Sequence, residues 1–197
     1  MSEIKIRATE PTDVDALHEI FSCPGVTANT LQLPWRSTEF TRERFGQARP
    51  DSYGLVAVVD GRVVGNLGLH IVQTARRRDV GALGMSVHDA FQNRGIGSAL
   101  MAAMVELADN WLGLRRIELE VWTDNHPAIH LYEKFGFVIE GTGRQFARRA
   151  GTLVDAYYMG RLRTATTLDS VRAQRGPPSC APRARALHPP GGRGRRC

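Results

Sequence analysis

Alternation of apolar and polar residues along the chain predicts a series of short β-strands. The first is at residues 4–7, which read Ile-Lys-Ile-Arg, a period of two that places apolar side chains on one face of a sheet. Similar runs occupy residues 53–59, 62–72, 80–87, 117–122, 137–140 and 154–159, and the last two flank a predicted glycine-rich, arginine-bearing turn. Asp60-Gly61 separates the second run from the third, and this dipeptide is typical of a hairpin turn. The chain is therefore expected to contain a sheet with a hairpin near residue 60.

Between these strands, apolar residues recur every three or four positions, as they do in amphipathic helices. The clearest predicted helix spans residues 96–113, with an apolar face formed by Leu100, Met104, Leu107 and Trp111. A first helix at 14–21 ends at Pro24-Gly25, residues 26–50 form a second, irregular helical stretch interrupted by a proline, and a short helix lies at 127–136. The order β-α-α-β-β-β-α-β-α-β-β predicts a mixed α/β sheet with helices packed on it.

Charge divides the chain into two parts. Seven of the 26 Lys and Arg residues and one of the 20 Asp and Glu residues lie in residues 164–197, so the net charge of +6 belongs to this segment and the first 163 residues are balanced. The segment also holds five of the ten prolines and few large aliphatic residues, too few to offset the entropy lost on ordering. We predict one domain in residues 1–163 and a disordered basic tail in residues 164–197. Such a tail could bind RNA by counterion release, but we favour a solvated, dispensable extension.

Composition also restricts the kinds of protein. The three cysteines form no CxxC pair, and His126 and His130, although spaced as in helical metal sites, lack a third ligand. We therefore predict neither a disulfide scaffold nor a metal site. No run of eighteen apolar residues occurs, and no apolar signal segment begins the chain. The expectation is a cytoplasmic protein without membrane contact.

A glycine-rich turn between a strand and a helix is the first candidate for chemistry. Residues 92–97 read Gln-Asn-Arg-Gly-Ile-Gly and precede the 96–113 helix. Glycines allow a ligand to approach the backbone, and the helix N-terminus offers free N–H groups, an arrangement that suits phosphates. The turn lacks the Gly-Lys-Ser/Thr of nucleotide-binding P-loops, and Leu100 replaces the third glycine of the dinucleotide fingerprint. A phosphate-bearing ligand of another class is therefore expected.

A second segment extends this picture. Residues 124–137 read Asp-Asn-His-Pro-Ala-Ile-His-Leu-Tyr-Glu-Lys-Phe-Gly-Phe. Together with residues 92–97, this segment resembles the Gcn5-related N-acetyltransferase superfamily, whose Q/R-x-x-G-x-G/A loop and N-x-x-A-x-x-x-Y-x-K-x-G-F helix both match. The resemblance covers most of residues 1–163 and includes the strand order. Residues 109–112, 140–143 and 154–159 further look like a bacterial subgroup described as L-amino acid N-acetyltransferases.

The resemblance implies a mostly antiparallel sheet with helices on both faces, in which the strands at 82–87 and 117–122 splay apart to admit acetyl-CoA. Backbone N–H groups of residues 93–98 would hold the pyrophosphate, Met85 and Val87 would pair with the pantetheine arm, and Asn125 would hold that arm from the other side. The implied acetyl-CoA-binding residues are Met85, Val87, Gln92, Asn93, Arg94, Gly95, Ile96, Gly97, Ser98, Asn125 and Ala128.

The resemblance also implies two catalytic groups. The backbone N–H of Val87 would polarise the thioester carbonyl, and Tyr132 would be the general acid that protonates the departing CoA thiolate. A phenol with a pKa of about 10 suits a thiolate of similar basicity. Many members of the superfamily have a glutamate on the strand before the glycine turn, but residues 81–86 contain no acid. The general base therefore stays open: the amine arrives unprotonated, or water leads its proton to Glu118, Glu120, His70 or His88.

The amine acceptor is expected between residues 23–44 and 140–158, where this superfamily binds its acceptors. Residues 30–35 are apolar and aromatic, and Arg144, Arg148 and Arg149 could hold a carboxylate. We predict direct acetyl transfer, in a ternary complex, to the α-amine of a free L-amino acid or a similar small molecule. The open alternatives are a peptide or another small amine as acceptor, and a non-catalytic CoA-binding regulator whose tail binds nucleic acid. A homodimer also stays open.

Overall fold

The computed structural model describes residues 3–46 and 49–163. These residues contain seven β-strands and five α-helices, in the predicted order except that the second helical stretch is divided in two. The strands are β1 (Ile4–Ala8), β2 (Ser52–Val59), β3 (Arg62–Ile71), β4 (Val80–Val87), β5 (Arg116–Trp122), β6 (Val138–Arg149) and β7 (Thr152–Leu162). The helices are α1 (Val14–Ser22), α2 (Pro24–Ala28), α3 (Thr38–Phe45), α4 (Ile96–Glu106) and α5 (His126–Lys134).

All seven strands belong to one sheet with the order β1-β2-β3-β4-β5-β7-β6. Neighbouring strands are antiparallel, with the exception of β4 and β5, which are parallel. These two strands pair only where they begin, from Val80 opposite Arg116 to Ala82 opposite Glu118, and then diverge. The predicted mixed, mostly antiparallel α/β sheet with two splayed central strands is confirmed.

Helices cover both faces of the sheet, because successive residues of a strand point to opposite sides. Val56 of β2 packs with Leu17 of α1 in one core. Its neighbour Ala57 belongs to the other core, which includes Leu100 of α4 and Ile129 of α5. Each fully buried aliphatic side chain of this size stabilises the fold by about 1.5–3 kcal/mol. The sheet is thus fixed between α1 on one side and α4 and α5 on the other.

The proline-containing region between β1 and β2 forms two short helices. Pro24 is the first residue of α2, since proline has the backbone angle of a first helical residue and no N–H is needed there. α3 starts after Ser37, whose side-chain oxygen accepts a hydrogen bond from the backbone N–H of Phe40 (3.2 Å). The loop at residues 29–37 between the two helices contains Pro34, where the predicted helical stretch is interrupted.

The predicted turn at the end of the domain is wrong. Residues 141–153 were expected to contain a glycine-rich turn between two short strands, but β6 continues to Arg149 and the turn is Ala150-Gly151, where both residues have positive φ. The pairing of β6 with β7 shifts register between Ile139 and Gly141 and again between Gly143 and Ala147. These bulges accommodate the glycines within the strand, so the hairpin extends further than its sequence suggests.

The predicted tail at residues 164–197 lies outside the described residues, and its disorder stays a prediction. Within residues 3–46 and 49–163, no helix is long and apolar enough to cross a membrane.

Candidate active site

A cavity of about 760 Å³ opens where β4 and β5 diverge. Almost all residues that the sequence predicted for acetyl-CoA binding or catalysis line this cavity. They are Met85, Val87, Gln92, Asn93, Gly95, Ile96, Gly97, Ser98, Asn125, Ala128 and Tyr132. Arg94 does not line it, because its guanidinium lies over the ring of Phe91, 5.1 Å from the ring centroid. Three separate elements of the chain therefore meet at one site.

The N-terminus of α4 forms one wall of the cavity. Gly95 caps the helix with a φ of +83°, and Asn93 has a φ of +59°. A Cβ atom at Gly95 would meet no atom within 4 Å, so glycine is required here by the backbone angle and not by lack of space. The first N–H groups of α4 have no partner within the helix and lie at the positive end of its dipole. This wall can bind a phosphate group.

The side chain of Gln92 forms two hydrogen bonds that hold the turn before α4 in place. Its Nε2 donates hydrogen bonds to the carbonyl of Val87 (3.3 Å) and to the carboxylate of Asp89 (3.2 Å). Asp89 also accepts a hydrogen bond from the backbone N–H of Gly25 (2.8 Å). The turn is therefore held against both the end of β4 and the start of α2.

The backbone of β4 faces the gap at alternate residues. His88 donates to the carbonyl of Val64, and the carbonyl of Val80 accepts from Val72, so both residues use their backbone groups towards β3. In an antiparallel pair this direction alternates from one residue to the next. The backbone groups of Met85 and Val87 therefore point away from β3, into the space that β5 leaves open, although the Val87 carbonyl already accepts the hydrogen bond from Gln92. These are the two residues that the resemblance implied for pantetheine binding.

Helix α5 forms the opposite wall. The side-chain oxygen of Asn125 caps this helix by accepting a hydrogen bond from Ala128 N–H (3.3 Å). Tyr132 lines the cavity, and its ring centroid lies 5.9 Å from that of Phe137. It is 7% exposed, its hydroxyl has no hydrogen-bond partner among the described residues, and burial raises its pKa to about 12. The phenol is thus protonated throughout the physiological pH range.

The structure separates the four candidate bases. Glu118 forms ion pairs with Arg77 and Arg116, and His88 lies beside Glu19 (Nε2 to Oε1, 3.6 Å); neither lines the cavity. Glu120 and His70 do line it. Glu120 and His70 are therefore the two candidate bases at the cavity.

His70 and Glu120 differ in their surroundings. The Nδ1 atom of His70 lies 2.8 Å from the hydroxyl oxygen of Ser52. Desolvation of the ring, followed by the charges of Arg44 and Arg49, lowers the pKa of His70, so the imidazole is neutral at pH 7. Glu120 lies on β5 beyond the last residue that pairs with β4, and it forms no ion pair within the part of the chain that the structure describes.

The three arginines predicted to bind a carboxylate do not line the main cavity. Arg149 forms an ion pair with Asp124, and Arg148 donates a hydrogen bond to the carbonyl of Gly151 (2.9 Å). Both line a second cavity of about 900 Å³ beside the tip of the β6–β7 hairpin, whereas Arg144 lines neither cavity.

The polar residues of the main cavity that sequence reasoning did not assign a role include Gln32, Arg44, Asn66 and Trp122. Trp122 is 5% exposed, and its indole Nε1 is buried with no hydrogen-bond partner within residues 3–46 and 49–163. Asn66 is 6% exposed and donates through Nδ2 to the carbonyl of Leu55 (3.4 Å). A polar residue within an apolar strand was a signal for Asn66, but the other three have ordinary local sequences and are recognised only from the fold.

His126, His130 and Cys23 line neither cavity. His126 and His130 are exposed, and no group of three or more His, Cys, Asp and Glu in the described ranges is arranged to hold a metal ion. Cys23 is buried between α1 and α2 with its Sγ 3.5 Å from the carbonyl of Glu19.

The divergent central strands, the helix N-terminus at their gap and the buried tyrosine are the arrangement expected for a CoA-dependent acyltransferase. Residues 14–137 match the sequence model of the Acetyltransferase (GNAT) family, and the chain belongs to this family. It is therefore an acetyl-CoA-dependent N-acetyltransferase, as the sequence motifs predicted.

The chain is similar in sequence or in structure to named acetyltransferases. The chain is 48% identical to the L-amino acid N-acetyltransferase AaaT of Escherichia coli (strain K12), over 83% of this chain and 100% of the relative. It is 32% identical to the N-alpha-acetyltransferase RimI of Mycobacterium tuberculosis, over 78% and 94% of the two chains. A solved GNAT acetyltransferase from Streptococcus pneumoniae is similar with a TM-score of 0.72 and 29% identity, over 82% and 100%.

Proposed function

We propose that this enzyme transfers the acetyl group of acetyl-CoA to the α-amine of a free L-amino acid, in a ternary complex. The observation that carries the proposal is the single cavity in which the N-terminus of α4, the free edge of β4 and Tyr132 meet. The 48% identity to an L-amino acid N-acetyltransferase over the whole of that relative supports the acceptor class. The balanced charge of residues 1–163 offers no broad acidic field for a polycation.

The residues of the cavity fit acetyl-CoA in two places. The N–H groups of residues 96–98 at the start of α4 bind the pyrophosphate, and the positive φ angles at Asn93 and Gly95 bring them to the surface. Met85 and Val87 hydrogen-bond to the pantetheine arm through the backbone groups that face the gap. Asn125 and Ala128, at the start of α5, contact the arm from the opposite wall. The thioester is thereby placed between β4 and β5.

Acetyl transfer requires an uncharged amine, a polarised carbonyl and a proton for the sulfur. We assign the first task to Glu120, which accepts the amine proton directly or through water, because it is an unpaired carboxylate within the gap. The backbone N–H of Val87 stabilises the negative charge that develops on the carbonyl oxygen as the nitrogen–carbon bond forms. Tyr132 donates its phenolic proton to the sulfur as the carbon–sulfur bond breaks, and solvent restores this proton.

The raised pKa of Tyr132 is compatible with this role. A pKa of about 12 makes the phenol a weaker acid than its sequence context suggested. The same desolvation raises the pKa of a thiol that leaves within the cavity, since burial disfavours every anion. The pKa values of the phenol and of the thiol therefore shift in the same direction, and the phenol keeps its proton until the carbon–sulfur bond breaks.

Thiol release from acetyl-CoA tests the proposed acceptor. The full chain is incubated with the twenty standard L-amino acids, their D-enantiomers, spermidine and an alanine-initiated peptide as separate acceptors. We expect apolar L-amino acids to give the highest kcat/KM and the D-enantiomers to be poor acceptors. Faster acetylation of the peptide or of spermidine would assign another acceptor, and tight CoA binding without turnover on any amine would favour the regulator.

A further inference from the structure

Arg44, near the end of α3, lies where the two cavities meet. It lines the main cavity together with Tyr132, and it also lines the second cavity beside the hairpin tip. Five further residues line both: Phe21, Thr30, Leu31, Gln32 and Phe45. A ligand that extends from the second cavity towards the gap between β4 and β5 therefore passes this set of residues.

Arg44 has no acidic partner within residues 3–46 and 49–163. Arg42, two residues earlier on α3, forms an ion pair with Glu39 on the exposed side of the helix. The charged groups that act on Arg44 are instead Arg36 and Arg49, and desolvation together with these like charges lowers its pKa. Arg36 and Arg44 both line the second cavity without an acidic partner among the described residues, and such a pair of guanidinium groups favours the binding of an anion.

Gln32 forms a hydrogen bond with the Arg44 guanidinium. The Oε1 atom of Gln32 accepts a hydrogen bond from Nη1 of Arg44 (3.1 Å) and another from Nη1 of Arg36 (2.9 Å). A guanidinium has five N–H donors, so Arg44 keeps donors that have no partner among the described residues. A planar guanidinium of this kind matches the two oxygens of a carboxylate.

The position of Arg44 is on the acceptor side of the cavity. Arg44 also lines the second cavity, which none of residues 92–98 lines. The phosphate-binding turn, in contrast, lies between β4 and α4. An anion held by Arg44 is therefore a part of the acceptor and not of acetyl-CoA.

We propose that Arg44, positioned by Gln32, binds the α-carboxylate of the amino acid acceptor and so directs its amine towards the gap between β4 and β5. This inference rests on the proposed function, because only an amino acid acceptor brings a carboxylate beside its amine. Phe21 and Phe45 stack with their ring centroids 5.1 Å apart, and with Leu31 they give apolar surroundings to the acceptor side chain. Arg44 thus takes the role that the sequence suggested for Arg144, Arg148 and Arg149.

The first test compares acids with their amides. Each of L-alanine, L-leucine, L-methionine and L-phenylalanine is assayed beside its own amide, which keeps the amine and side chain but lacks the carboxylate. For Arg44→Leu we expect kcat/KM for the acids to fall roughly 10- to 100-fold, the range of a lost charge-assisted hydrogen bond. The values for the amides and the KM for acetyl-CoA are expected to stay within about twofold of the unchanged protein. Arg42→Leu, on the same helix, is the matched control and is expected to change neither.

The second test concerns the positioning role of Gln32. Gln32→Glu preserves the shape of the side chain but places a carboxylate between Arg36 and Arg44, where it competes with the acceptor. We expect KM for the acids to rise at least tenfold, with kcat at saturation less affected. Gln32→Met removes the hydrogen bond without adding charge, and a smaller rise in the same KM is expected.

The titration of His70, followed by NMR of the histidine ring protons, reports on Arg44 without turnover. Removal of the neighbouring positive charge in Arg44→Leu is expected to raise the pKa of His70, and Arg42→Leu is expected to leave it unchanged. Saturating L-leucine, whose carboxylate neutralises Arg44, raises it as well, whereas L-leucinamide does not.

The outcomes separate this inference from the proposed function. If acids and amides are both acetylated and Arg44→Leu slows them equally, or if L-leucine leaves the His70 titration unchanged, the carboxylate-binding role is wrong while the acceptor class stands. If no amino acid is acetylated, both fail together.

Discussion

At the scale of single residues, Tyr132 is the group whose chemistry depends most on the fold. For Tyr132→Phe we expect kcat to fall about 10²- to 10⁴-fold, the range of a lost general acid, while the Kd for acetyl-CoA stays within about threefold. Stopped-flow or steady-state thiol release gives kcat, and calorimetry gives the Kd.

The surroundings of Tyr132 supply a control and a pH criterion. Tyr53→Phe removes a hydroxyl from a half-buried tyrosine that does not line the cavity and is expected to leave kcat unchanged. Since the pKa of Tyr132 is raised to about 12, kcat of the unchanged protein should show no loss from its deprotonation up to about pH 10. A Tyr132→Phe variant with unchanged kcat would remove the tyrosine from the mechanism.

Glu120 and His70 give different expectations as proton acceptors. For Glu120→Gln we expect kcat/KM to fall about 10²- to 10³-fold, because the amide cannot accept a proton at neutral pH. For His70→Gln, which preserves a hydrogen-bond partner for Ser52, we expect a fall of less than about fivefold. The two variants are compared across the pH range, and high pH should partly restore Glu120→Gln because more of the amine is then already uncharged. The opposite order of effects would make His70 the base.

At the scale of elements, the turn into α4 depends on one backbone angle. Gly95→Ala places an alanine at a φ of +83°, which costs about 1–2 kcal/mol, and the strained turn no longer presents the N–H groups of α4 correctly. We expect the Kd for acetyl-CoA to rise at least tenfold, measured by calorimetry.

Gly61 provides a matched control for Gly95. It has a φ of +79° in the turn between β2 and β3, and a Cβ there would also meet no atom within 4 Å. Gly61→Ala should therefore lower the free energy of unfolding by a similar amount but leave the Kd for acetyl-CoA unchanged. Equal effects of the two variants on acetyl-CoA binding would show that α4 has no special part in it.

The start of α1 depends on an ion pair with β1. Both carboxylate oxygens of the buried Asp13 accept hydrogen bonds from Arg7 at 2.7 Å, and one also accepts from the N–H of Glu10 at 2.8 Å. For Asp13→Asn we expect the free energy of unfolding at pH 7 to fall by about 1–2 kcal/mol, measured by urea denaturation. Glu39→Gln, which breaks the exposed pair with Arg42, should cost less than about 0.5 kcal/mol.

The effect of pH on the Asp13 contribution has a definite sign. The hydrogen bonds from Arg7, and then that from Glu10, hold the pKa of Asp13 below its ordinary value of 3.8. The stabilisation is therefore complete above about pH 4 to 5 and is lost as the pH falls through the lowered pKa. The difference between the unchanged protein and Asp13→Asn should stay constant from pH 7 to 5 and shrink only in stronger acid. A difference that grows on acidification would contradict this assignment.

The sequence predicted the elements well wherever one local rule applied. Alternation placed β4 at residues 80–87, as observed, and Asp60-Gly61 correctly marked the turn between β2 and β3. The hairpin of β6 and β7 was underestimated because glycines at positions 141 and 143 were interpreted as a turn, whereas pairing with β7 and two bulges keep them in a strand. Whether a glycine ends or bends a strand depends on its partner strand, which local sequence does not contain.

At the scale of the whole molecule, the site consists of an acetyl-CoA half and an acceptor half, and the sequence predicts the first better than the second. The proposed acetyl-CoA half comes from two continuous motifs, so Gly95, Asn125 and Tyr132 could be predicted from the sequence, and the fold places them in one cavity. The acceptor half is assembled from α1, α3 and β3, which lie far apart in sequence, and nothing in residues 42–44 distinguishes Arg42 from Arg44. Arg42 pairs with Glu39 through their i,i+3 spacing on α3, whereas the packing of α3 against α1 places Arg44 at the cavity. The proposed acceptor contacts therefore depend on tertiary packing, whereas the predicted acetyl-CoA contacts come from local sequence.

The basic segment at residues 164–197 gives the last prediction. The strand β7 ends at Leu162, pairs with β5 as far as that residue, and is followed by Arg163, whose N–H donates to the carbonyl of Arg115 (3.0 Å). The E. coli relative is matched over its whole length by 83% of this chain, so a chain without a counterpart to this segment has the same family fold. We expect deletion of residues 164–197 to leave kcat/KM and the Tm unchanged within error, because the cavity and both cores lie before residue 163.

RNA binding of the full and the shortened chain is compared at 50 and 200 mM salt: binding that depends on the seven arginines should disappear on deletion and weaken steeply with salt. A loss of acetyl transfer on deletion would show that the segment belongs to the enzyme, and equal RNA binding by both chains would place the nucleic-acid contact in the domain.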